Sequence, residues 1–106
     1  MSIHITGSGS YIPKIVKKNK DFLEANFLNP DGSEFNVSND VIIKKFQSIT
    51  GIKERRYATS TESTSDLAFK AAKNAISDSG INIESLDYII VAHNFGDIVH
   101  NNIQTD

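Results

Sequence analysis

The run Leu-Asp-Tyr-Ile-Ile-Val-Ala over residues 86–92 is the longest near-continuous β-branched and apolar stretch in the chain, and it constrains the fold more than any other feature. It is too short to span a bilayer, and it asks for burial on both faces, as strands of a parallel sheet do. The pattern therefore predicts a central strand over 86–92. The polar loop that follows, His93-Asn94-Phe95-Gly96-Asp97, then stands at the carboxyl end of that strand, where open α/β sheets place their ligands.

Ahead of this run, Leu67, Ala68, Ala71, Ala72, Ala75 and Ile76 recur at helical spacing from Asp66 to Ser79 and form one apolar stripe. Ser63 and Asp66 make a capping pair at its start, and Gly80 stands at the stop position. The stripe is mostly alanine, which lets a backbone come close, so the helix is expected to be wedged into a larger body.

The first half of the chain reads as shorter pieces. Ile3 and Ile5 alternate with His4 and Thr6, which predicts a strand over residues 2–8 ending in a Gly-rich turn. Gly7-x-Gly9 invites a dinucleotide-binding reading, but Ile12 stands in place of the third glycine and Pro13 disfavours a helix there. Bending and close packing account for the two glycines better. Asn19 can cap a short helix through Phe27, and residues 29–33 are dense in turn formers. Ser38 or Asn39 can cap a helix from Asp40 to Ser48 with Ile42, Phe46 and Ile49 on its apolar side, stopped by Gly51. Residues 52–58 alternate as a charged, exposed or edge strand.

Bulk properties exclude several functions. A formal charge of -2 and a pI near 5.9 leave no electrostatic footprint for a polyanion, so nucleic acid is not an expected partner. No apolar run is long enough for a membrane span and no secretory leader is legible, which makes the cytoplasm the default location. The chain holds no cysteine, and His4, His93 and His100 have no ligand spacing, so no metal site is expected.

Gly7-Ser-Gly9-Ser-Tyr11-Ile12-Pro13, the helix start at Asn19, Thr50-Gly51-Ile52-Lys53-Glu54-Arg55-Arg56, the alanine-rich helix and the 87–92 run stand in the order seen in β-ketoacyl-acyl-carrier-protein synthase III. From Ile3 to about Asn94 the chain resembles the N-terminal third of that enzyme family, with residues 29–35 as an insertion. The resemblance implies an α/β fold, the N-terminal part of a thiolase-like body of αβαβα layers, with residues 1–106 as an incomplete half-domain. It implies a homodimer that uses acyl-CoA and malonyl-acyl-carrier protein as substrates and holds no permanent cofactor. In the family a cysteine attacks the thioester, and a histidine and an asparagine assist the decarboxylative condensation. All three positions are expected to lie beyond Asp106, so the chain carries no catalytic residue and is expected to be inactive and self-associating by itself.

The resemblance also marks a departure. Typical members carry a tryptophan five residues before the threonine of Thr50-Gly51-Ile52 and an arginine immediately before it, both associated with the coenzyme A nucleotide. Here those positions are Lys45 and Ile49. Loss of an aromatic plane removes stacking of about 1 to 3 kcal/mol by analogy with base stacking elsewhere. That leaves a primer carried on acyl carrier protein open, with Lys45 as a point charge for a phosphate. The resemblance also implies that Phe95 is a position for lining the family's acyl tunnel near the dimer interface. Two rival readings accompany this one: a non-catalytic paralogue of the same fold, and a small self-contained α/β nucleotide-binding module.

Overall fold

The computed structural model describes residues 2–97. It divides into two compact units, one formed by Lys14–Tyr57 and the other by the chain on either side of it.

In the first unit, β1 (Ile15–Lys18) pairs antiparallel with β2 (Glu54–Tyr57). Between them come a 3-10 turn (Asn19–Phe22), a connector and α1 (Asn39–Thr50). Helix α1 and its stop appear as the periodicity predicts, with Gly51 left-handed at φ 68° and its N–H donating to the Gln47 carbonyl. Ile42 is the buried centre of this unit, 6% exposed. The turn at residues 29–33 also forms as expected. Asp31 accepts from the Ser33 N–H and hydroxyl at 2.9 and 2.6 Å, and Gly32 adopts φ 84°.

Two expectations fail here. The helix predicted from Asn19 to Phe27 stops after one 3-10 turn, because the Leu23 and Ala25 carbonyls are taken by the Asn39 side-chain amide at 2.7 and 2.8 Å. Asn39 is therefore a tether rather than a cap, and Ser38 stands at the N-cap without a side-chain bond. Ile49 is the second failure, since it points to solvent instead of joining Ile42.

In the second unit, α2 (Thr64–Ser79) begins and ends where its signals place it. Ser63 Oγ accepts from the Asp66 N–H, the Asp66 carboxylate accepts from the Ser63 N–H, and Gly80 closes the helix at φ 67°. Replacing Ser63 with Ala is expected to cost about 1 kcal/mol of stability, read as a shift in the urea midpoint with an unchanged slope.

The N-terminal segment lies along this helix but is not a strand. A Cβ added at Gly7 would stand 2.6 Å from the Ser79 nitrogen and 2.7 Å from the Ala75 carbonyl oxygen. At Gly9 it would run into the backbone of Ala75 and Ala71. The Ser8 N–H donates to Asp78 Oδ2 at 3.0 Å, and Asn74 Nδ2 donates to the Ser10 carbonyl at 3.0 Å. The glycine and alanine surfaces therefore fit backbone to backbone, as the small residues on both sides suggest.

The strand predicted over 86–92 is likewise absent. Apart from a 3-10 turn at Ile83–Ser85, residues 81–93 have no regular structure, and Tyr88 and Ile90 are 87% and 94% exposed. The physical reason is the same for 2–8 and 86–92: a strand is defined by its partner, and the β1–β2 pair is the only sheet among the described residues. The helices, whose bonds are internal, needed no partner.

Candidate functional site

The first unit turns about Asn19. Its side-chain amide donates to Gln47 Oε1 and to the Ile52 carbonyl, both at 2.9 Å, and its carbonyl oxygen accepts from Arg55 Nη1 at 3.1 Å. One side chain thus ties the end of α1, the following loop and β2 to the 3-10 turn. Gly51 makes this possible by reversing the chain so that β2 runs back along β1, with Lys17 opposite Arg55 and Val16 opposite Arg56.

Directly opposite residues share a face of the ladder. Arg55 lies on the face toward the 3-10 turn, its guanidinium carbon 5.5 Å from the Phe22 ring centre. Arg56 is on the other face beside Glu54, at 3.6 Å. Phe27 and Phe46 meet edge to face, with centroids 5.8 Å apart. These groups line an open pocket of about 210 Å³, floored by Phe22, Phe27, Ile43, Phe46 and Tyr57. Its polar side chains are Asn19 and Arg55, and the Tyr57 ring brings a hydroxyl.

Lys45 and Ile49 stand one helical turn apart near the end of α1, so they share a side of the helix. Neither lines the cavity, and both are solvent-exposed, Ile49 at 71%. Lys44 pairs with Asp40 at 2.9 Å, whereas Lys45 has no ion pair among the described residues. Phe95 belongs to the other unit, where it is 76% exposed in the 93–97 loop. Asp97 anchors that loop by accepting from the Ser65 N–H at 2.8 Å.

A second polar cluster holds the second unit. Glu62 Oε1 accepts from the Tyr11 hydroxyl at 2.6 Å and from Lys70 Nζ, and Glu62 Oε2 accepts from the Thr59 N–H at 3.0 Å. Lys70 Nζ also lies 4.5 Å from the centre of the Tyr11 ring. Three donors on one carboxylate, with Lys70 first among them, hold Glu62 down at about 2 instead of the ordinary 4.5. The same contacts, Glu62 foremost, raise the Lys70 ammonium above its usual value.

A depressed carboxylate contributes stability that is present above the unfolded value and is lost as pH falls through the folded one. The Glu62 contribution is therefore expected to disappear between about pH 4.5 and 2. Glu62→Gln should flatten the urea midpoint across that interval, while the parent should lose stability there. Sequence reading missed this cluster because Tyr11, Glu62 and Lys70 carry no local signal that connects them. Among the described residues, no three histidines or carboxylates are grouped to hold a metal ion, and no helix is long and apolar enough to cross a membrane.

Comparison with known proteins gives the relationship. Over 98 residues the chain is 42% identical to "Beta-ketoacyl-[acyl-carrier-protein] synthase III" of Staphylococcus haemolyticus. It is 39% identical over 97 residues to the protein of that name from Staphylococcus saprophyticus, and 39% identical over 98 residues to that of Staphylococcus aureus strain Newman. Each match covers 92% of this chain and 27% of the relative, so the chain spans about a quarter of the length of these relatives. No family model matches. The resemblance drawn from the motifs thus holds over nearly the whole chain.

Proposed function

We propose that the chain is the N-terminal part of a β-ketoacyl-acyl-carrier-protein synthase III, an acyltransferase that condenses an acyl primer with malonyl-acyl-carrier protein in fatty acid or related lipid synthesis. The single observation that carries this reading is 39–42% identity to proteins of that name across 92% of the chain. The exposed apolar run at 88–91 supports it, because apolar surface of that extent normally meets other polypeptide. In this reading 86–92 becomes a central strand when the remainder of a thiolase-like body, and a second copy in a homodimer, supply its neighbours. The cysteine, histidine and asparagine of the chemistry belong to that remainder, so residues 1–106 alone are inactive.

The primer donor follows from α1. Lys45 and Ile49 offer a nucleotide one charge and one aliphatic side chain, with neither a ring to stack on nor a second cation. Weak use of acyl-CoA and better use of a primer carried on acyl carrier protein follow from that surface. The test is acylation of the complete protein by each donor, then addition of malonyl-acyl-carrier protein, with intact mass of enzyme and carrier as the readout. A 3-ketoacyl-carrier product is expected, with faster enzyme acylation from the carrier-bound primer. No acyl adduct from either donor would favour a non-catalytic paralogue, and faster acylation by acyl-CoA would remove the argument from Lys45 and Ile49.

A further inference from the structure

We propose that the cavity beneath β2 is a binding site for a small monocarboxylate with a compact, flat apolar body, the size of benzoate. This goes beyond the condensing reading and does not depend on it. The first observation is the state of Arg55. A guanidinium has five N–H donors, and this one spends a single donor, on Asn19 Oδ1, with no carboxylate partner among the described residues. It is also half-buried and fixed, held by Asn19 on one side and the Phe22 ring on the other.

The second observation is the charge around it. Lys17, also half-buried, stands directly across the strand pair from Arg55, and like charges opposite one another are unfavourable without an anion between or near them. All but Lys70 and Lys73 of the chain's eleven lysines and arginines lie in this unit. The third observation is the wall. Phe22, Phe27, Phe46 and Tyr57 line one side of this open pocket, and its volume of about 210 Å³ exceeds the roughly 150 Å³ that suffices for benzene in an apolar protein cavity.

A phosphate would find one fork of donors and otherwise aromatic surface. A carboxylate with an apolar body matches both halves, since the planar fork of Arg55 takes two carboxylate oxygens and the rings cover the rest. Asn19 keeps the fork aimed and so acts as a positioning residue.

The experiment is isothermal titration of the complete protein with benzoate and with benzamide, which has the same shape without the charge. Saturable benzoate binding is expected, at least tenfold tighter than benzamide and weaker as salt rises. Arg55→Gln should abolish the preference for benzoate, and Arg55→Lys should retain part of it. Equal binding of the two ligands, or no saturable benzoate binding by the parent protein, overturns the proposal. Both arms use the parent chain and stay decisive even if Arg55→Gln fails to fold.

Discussion

Gly9→Val is expected to destabilise the protein by about 3 kcal/mol, the upper end of what inserting methyl groups into a packed interior costs. The reason is the identity of the obstacles. The new side chain would meet the backbone of Ala71 and Ala75 in the middle of α2, and a helix backbone cannot yield as a flexible side chain does. Gly32→Ala is the control, because nothing lies within 4 Å of an added Cβ there. Only the φ of 84° is then strained, at about 1 kcal/mol. Equilibrium unfolding in urea would separate the two. Equal midpoints for Gly9→Val and the parent would mean that residues 2–13 do not lie against α2 in solution.

Asn19→Ala should have the next largest effect, about 2 to 3 kcal/mol, since one truncation removes two donated bonds and one bond accepted from a charged group. Gln47→Ala loses only one of these contacts, at an exposed position, and is expected to cost less than about 1 kcal/mol. If the two variants unfolded at the same urea concentration, Asn19 would not be the point on which α1, β2 and the 3-10 turn converge. Circular dichroism at 222 nm against urea is sufficient for both.

These two residues show what the sequence could and could not reveal. Helices α1 and α2 were legible to within a residue or two because everything that specifies them is local: the apolar period, Ser63 with Asp66, and glycine at both stops. Close packing at Gly7 and Gly9 was legible from small residues on two segments. Asn19 reads as a helix cap from sequence, since a side-chain amide beside a possible helix start looks the same whether it serves its own turn or residues 28 to 36 positions away. Strand β1 was not anticipated, for Ile-Val-Lys-Lys is four residues long without alternation, and it exists by virtue of Glu54–Tyr57. The strand expected at 86–92 shows the converse, a strong pattern that forms nothing without a neighbour.

At the candidate site, Lys45 and Ile49 came out adjacent on one side of α1, as their spacing requires. The pocket under β2 carries no sequence signal, because its walls come from both ends of the first unit. No motif joins Phe22 to Tyr57; the left-handed reversal at Gly51 and the bonds of Asn19 bring their segments together.

The fit of residues 7–10 against α2 has a kinetic consequence. The Ser8 to Asp78 and Asn74 to Ser10 bonds join positions 70 and 64 residues apart, and all of Lys14–Tyr57 is threaded between them. During synthesis Lys14–Tyr57 therefore leaves the ribosome before α2 does, while the leading dozen residues wait for their partner helix. A lesion at Gly9 should then leave the refolding rate nearly intact and act on the rate at which the finished molecule comes apart.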